Sequence, residues 1–97
     1  MMLTIEAARV APYLIKTALG IEQREGEILF ALYEGECDVA RLAKVLNVAN
    51  RFSRVGEVHV SNLRAKLGKD AILGGYRGWT LGPALRARIS EVLNVEA

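Results

Sequence analysis

Apolar residues recur at spacings of three and four along most of this chain, then give way after Gly68 to short runs broken by glycine. The first pattern is that of amphipathic helices and the second that of strands and tight turns. Thr4 is placed to cap a first helix whose Ile5, Ala8, Pro12, Ile15 and Leu19 share one stripe. Pro12 removes an amide and crowds the preceding turn, so a kink or two short helices are expected across residues 4–19, closed by Gly20. Glu22 to Tyr33 reads as a second helix through Glu25, Ile28, Leu29 and Leu32, ended by Gly35. Asp38 is a good N-cap for a helix from Val39 to Leu46, with Leu42, Val45 and Leu46 facing inward. A connector from Asn47 to Phe52 follows. Ser53 then caps a helix running to Leu67, with Gly68 just beyond it.

Ala71-Ile72-Leu73 and Trp79-Thr80-Leu81 are strand-like runs separated by Gly74, Gly75 and Gly78, which predicts a β-hairpin. Pro83 suits the first position of a last helix, where its missing amide does no harm. That helix carries Leu85, Ile89, Val92 and Leu93 on one side and Arg86, Arg88 and Glu91 on the other. The predicted fold is mostly α with a small β-hairpin, one domain over residues 1–97. Residues 21–81 form its core helices and hairpin, residues 1–20 an N-terminal helical extension, and residues 82–97 a C-terminal helix. Ile5, Ile15, Leu19, Leu85, Ile89 and Leu93 exceed what a compact domain of this kind alone would bury, so a homodimer through the terminal helices is expected. Cover for the chain's own core is the alternative.

The helix over residues 53–67 is the most specific part of the pattern. With successive residues about 100° apart and Val58 set at zero, Gly56, Val60, Leu63 and Leu67 gather within about 60° on the far side, a core stripe. The opposite face holds Arg54, Val58, Ser61, Asn62 and Ala65, flanked by His59, Arg64 and Lys66. A small, hydrogen-bonding face edged by cations fits the major groove of B-DNA: Asn pairs bidentately with adenine, Arg with guanine, and Val58 rests against a thymine methyl. Arg64, Lys66 and His59 would meet phosphates, which position the helix. An ordinary amphipathic helix with one exposed valine is the plainer alternative.

Charge strengthens the first reading. The chain has a net charge of +2, yet residues 1–50 carry five basic and seven acidic side chains. Residues 51–81 carry Arg51, Arg54, Arg64, Lys66, Lys69 and Arg77 against Glu57 and Asp70, while residues 82–97 balance. One third of the molecule is basic and the rest is not, the asymmetry of a polyanion-binding face. The composition, 52% hydrophobic and 25% charged, is that of a globular protein, and 97 residues suffice to fold without staples. Cys37 is the single cysteine, so no intrachain disulfide forms. No apolar run approaches the roughly 20 residues that span a bilayer, and Glu6, Arg9 and Lys16 interrupt any leader-like segment. A cytoplasmic, nucleoid-associated protein with no membrane contact is expected.

The run Ser53-Arg54-Val55-Gly56-Glu57-Val58-His59-Val60-Ser61-Asn62-Leu63-Arg64-Ala65-Lys66-Leu67 resembles the recognition helix of the OmpR/PhoB-type winged-helix effector domains of bacterial response regulators. Gly78-Trp79-Thr80-Leu81 is similar to the end of that family's wing, and Ile21, Glu25 and Leu29 fit its opening helix. The likeness covers roughly residues 21–81. It implies a winged helix-turn-helix regulator of transcription, with helix 53–67 in the major groove and wing 71–81 on a minor groove. By position, Arg54, Val58, His59, Ser61, Asn62 and Arg64 face DNA, with Arg77 or Tyr76 as the wing contact. The candidate DNA-binding set is Arg51, Arg54, Val58, His59, Ser61, Asn62, Arg64, Lys66 and Arg77. The resemblance also implies an RNA polymerase contact in the loop before the recognition helix, which is short here. Other departures are the absence of a receiver domain and helical sequence in place of an N-terminal sheet. Asn62 stands at a position where the family often has arginine, and Gly56 and Gly26 stand at positions of a core valine and a core aromatic. The wing is one residue shorter.

Other chemistry finds little support. Gly74-Gly75-Tyr76-Arg77-Gly78 lacks the Gly-Lys-Ser/Thr ending of a phosphate loop and opens no helix. One histidine and one cysteine do not furnish a metal site, and no acid–base constellation points to an enzyme or a cofactor. Glu22, Glu25 and Glu27 read as a solvated first turn favoured by the helix dipole, and Trp79 as packing that joins the wing to the helix over residues 53–67. The rival function is a winged-helix protein–protein interaction module.

Overall fold

The computed structural model describes residues 5–50, 53–75 and 77–93, with the side chains of its first helix from Arg9 onward. The order is α1 (Ile5–Leu19), α2 (Gln23–Glu34), α3 (Val39–Val45), α4 (Val55–Leu67), β1 (Ile72–Gly75), β2 (Gly78–Leu81) and α5 (Pro83–Leu93). The protein is mostly helical with a small two-stranded antiparallel hairpin, as the hydrophobic pattern predicts.

α1 runs as one helix through Pro12 and does not divide into two. An interior proline costs a helix about 3 kcal/mol, but Ala11 and Ile15 on either side of it are fully buried against α2 and α5. The partner surface is cut to receive it. Gly26 of α2 faces Pro12, and a Cβ there would run into the Pro12 carbonyl oxygen. The missing side chain therefore lets the two backbones meet. Gly20 ends α1 in the left-handed region, at φ +67°.

α2 is the centre of the molecule. Its Ile28, Leu29 and Leu32 are buried among Leu42 of α3, Val60 and Leu63 of α4, Ile72 and Trp79 of the hairpin, and Ile89 of α5. Each such side chain removed from water contributes about 1.5–3 kcal/mol. α5 is tied to the last turn of α2. The Arg86 guanidinium donates to the carbonyls of Leu32 and Tyr33 at 3.2 Å each and lies over the Tyr33 ring, while the Tyr33 hydroxyl and Ser90 Oγ are 3.0 Å apart. Those two carbonyls have no partner within their own helix, which is why a cation is favoured there.

The same packing takes up apolar residues of both terminal helices. Ile15, Leu85, Ile89 and Leu93 are buried and Leu19 packs against the same core; Ile5 lies outside the described side chains. These residues pack within the chain: α1 lies against α2 and α5, and α5 is tied to the end of α2 through Arg86 and Ser90.

Asp38 caps α3 as predicted, its Oδ1 accepting the Arg41 N–H at 2.8 Å. α4 begins one residue later than expected, at Val55, with Arg54 and not Ser53 at the cap position. Ser53 still serves the start of the helix by accepting the Val55 N–H at 3.3 Å. The hairpin pairs Ile72 with Leu81 and Gly75 with Gly78, so its glycines lie within the strands. On the outer edge of β2, Trp79 exchanges backbone hydrogen bonds with Cys37 at 2.7 and 3.0 Å, so the link between α2 and α3 is pinned to the hairpin. The strand bearing the buried Trp79 lies against α2, and β1 lies against α4. Trp79 was expected to join the hairpin to α4; it shares the buried core with Val60 and Leu63 of α4, while its strand packs chiefly on α2.

Candidate nucleic-acid interface

α4 is held with one face inward and one face open. Inward, Gly56, Val60 and Leu63 are buried, and a Cβ at Gly56 would stand 2.8 Å from Leu42 Cβ, so α3 and α4 approach closely. Outward, Arg54, Val58, Ser61, Asn62 and Ala65 are all exposed, Val58 at 57%. No other described element covers this face. The angular assignment of the helix therefore matches the structure, except that Leu67, placed on the core stripe, is only half-buried.

The rim is less uniform. At the start of α4, Arg54 grips Glu57 with Nε and Nη2 at 2.6 and 2.9 Å. The Arg54 guanidinium holds the Glu57 carboxyl below its usual range. Glu57 is the one carboxylate within α4, and it is matched by a neighbouring cation. His59 is half-buried on the flank, and its Nδ1 is shut from solvent with no hydrogen-bond partner among the described residues.

Arg64 and Lys66 were both read as phosphate contacts, and in the structure both bind the protein itself. Arg64 donates from Nε to the Ile72 carbonyl at 2.9 Å and from Nη2 to the Gly74 carbonyl at 3.0 Å. Lys66 Nζ lies 2.8 Å from Glu25 Oε1. Glu25 is only 2% exposed, so it is no part of a solvated turn. Its Oε1 also accepts the Glu22 N–H at 2.9 Å. Burial pushes the Glu25 carboxyl up, but the Glu22 N–H and the Lys66 ammonium together hold it below its ordinary value. The same pairing raises the Lys66 ammonium. Glu25 thus anchors the C-terminal half of α4 to the start of α2. The spacing of Glu22 and Glu25, that of a capping box, was the available signal.

Arg77 is exposed at the hairpin tip, beside Glu34, Glu36, Asp38 and Arg41 around a shallow groove of about 440 Å³. Arg51 and Tyr76 lie outside the described residues. Cys37 is buried three residues beyond α2, and burial pushes its thiol up. Among the described residues no group of His, Cys, Asp and Glu side chains is placed to hold a metal ion. No helix among them is long and apolar enough to cross a membrane.

Comparison with protein-family models, curated proteins and solved structures finds no match to this chain.

Proposed function

We propose that this protein binds double-stranded DNA sequence-specifically as a winged helix-turn-helix regulator of transcription in the bacterial cytoplasm. α3 and α4 form the helix-turn-helix, α4 enters the major groove, and the β1–β2 hairpin lies along a minor groove. The observation that carries this reading is the uncovered face of α4. A helix that presents small side chains and one amide admits close approach to base edges. Asn62 reads adenine, Val58 meets a thymine methyl, and Ser61 and Ala65 leave room for the backbone. Arg54 exchanges Glu57 for a guanine or a phosphate. The order α2, α3, α4 and hairpin, and the resemblance of residues 53–67 and 78–81 to OmpR/PhoB-type effector domains, support the same assignment.

The test is a fluorescence anisotropy titration of a labelled mixed-sequence duplex over a range of salt concentrations. Binding that weakens with a log–log slope of about −0.9 per phosphate neutralised is expected. Asp in place of Val58 should abolish it by placing a carboxylate against the bases. No binding at low salt, or binding indifferent to Val58→Asp, overturns the proposal. One observation favours the protein-interaction reading instead: Val10, Tyr13 and Leu14 form an exposed apolar stripe on α1, 42–53% accessible, remote in sequence from α4. That reading predicts no duplex binding and intact folding of Val58→Asp.

A further inference from the structure

We propose that Arg64 is a positioning residue that clamps the hairpin to α4 and acts on DNA only through the hairpin; the DNA half of this rests on the function proposed above. The argument starts from the hydrogen-bonding phase of the hairpin. In an antiparallel pair, successive residues alternate between bonding across to the partner and pointing their backbone groups away from it. The Ala71 carbonyl accepts the Gly82 N–H at 2.8 Å, so Ala71 faces β2. By alternation Leu73 and Gly75 also face β2, while Ile72 and Gly74 point their carbonyls outward from the open edge of β1. Those two outward carbonyls are the acceptors of the Arg64 fork.

The opposite edge obeys the same logic. Trp79, the partner of Gly74, points outward from β2, and its N–H and carbonyl are taken by Cys37. The hairpin is therefore closed on both sides, by a backbone bridge on β2 and by one guanidinium on β1. A lone two-stranded hairpin is marginal in water and its open edge invites wrong pairing. A planar guanidinium serves both carbonyls at once, which an ammonium on a flexible stem does not. Because Arg64 belongs to α4, the clamp also fixes where the hairpin stands relative to the groove-facing side of that helix.

Two measurements on the full chain test this. The first needs no DNA. Amide hydrogen exchange in Arg64→Met and Arg64→Lys should quicken at Leu73, Gly75 and Thr80 by about tenfold or more, the scale of losing charge-assisted hydrogen bonds. Exchange within α2 should stay unchanged, which shows that the variants fold. Hairpin exchange unaltered in both variants overturns the clamp. The second is a double-mutant cycle with Arg77→Ala on a mixed-sequence duplex. If Arg64 works through the hairpin, the affinity lost in Arg64→Met shrinks in the Arg77→Ala background, and Arg64→Lys does not restore it. An undiminished loss, restored by lysine and accompanied by a salt slope reduced by about 0.9, would show a direct phosphate contact and overturn the proposal. If the parent protein binds no duplex, the function proposed above fails, and the exchange result alone decides the clamp.

Discussion

Replacing Gly26 with alanine tests how α1 is built into the domain. Two effects oppose each other. In a helix interior, alanine is favoured over glycine by about 1 kcal/mol. Against this, the new Cβ points at the Pro12 carbonyl oxygen and comes within 3.3 Å of its carbonyl carbon. The obstacle is backbone, so no side chain can swing aside; α1 has to shift as a unit, carrying the buried Ala11 and Ile15 with it. Such overpacking costs about 1–3 kcal/mol. Since the clash is with a rigid group, the upper half of that range applies and the net loss is about 1–2 kcal/mol. For a domain of this size that lowers Tm by roughly 5–15 °C, and it lowers the urea midpoint by about 1 M. Gly35→Ala is the control, because nothing lies within 4 Å of its Cβ and its φ of 168° is ordinary extended backbone. Its midpoint should stay within about 0.5 kcal/mol of the parent. A Gly26→Ala protein as stable as the parent or more so would refute the claim that α1 rests on α2 through this glycine.

Further outcomes follow from the remaining contacts. Glu25→Ala removes a buried acceptor from the Glu22 N–H and the Lys66 ammonium, and should lower stability by about 2 kcal/mol in urea unfolding. Because the folded Glu25 carboxyl lies below its ordinary 4.5, its contribution is complete above that value and is lost as pH falls through the folded one. Acid titration of Tm should therefore be less steep in Glu25→Gln, and an identical acid slope in the two proteins would contradict the pairing. Asp38→Ala should cost about 1 kcal/mol through the loss of its bond to the Arg41 N–H, read by thermal unfolding. In a selection from random duplexes, Asn62→Ala should change preference at one or two base pairs while leaving the rest of the selected sequence intact; an unchanged consensus would remove Asn62 from the reading face.

The open and closed faces of α4 were readable from the sequence because helical geometry converts residue spacing directly into direction. Gly56, Val60 and Leu63 turned inward and Val58, Ser61 and Asn62 outward on that basis alone. The caps at Asp38 and Gly20 were readable for a similar local reason. What escaped the sequence was set by partners far along the chain. The destination of Arg64 is two carbonyls 8 and 10 residues away, and that of Lys66 is a carboxylate 41 residues away. Neither periodicity nor charge balance carries that information, so both cations read as solvent-facing. Glu25 was misplaced for the converse reason, since a glutamate in a first helical turn is ordinarily solvated and only a tertiary cation reverses the preference. Pro12 was expected to kink α1 or divide it in two; division, which does not occur, reckons the local cost without the burial of Ala11 and Ile15. That α1 packs on α5, and that Arg86 of α5 reaches the last turn of α2, is likewise set by distant partners that helical spacing does not reveal.

The single cysteine is shut beneath the bridge that pins β2 to the link between α2 and α3, with its thiol 3.5 Å from the Gly35 carbonyl. A thiol-labelling reagent reaches it only when its surroundings open. The rate at which native protein is alkylated, compared with the rate for the denatured chain, thus reports how often the junction between β2 and the α2–α3 link opens. The molecule carries its own probe of that event, at one position and without any engineered label.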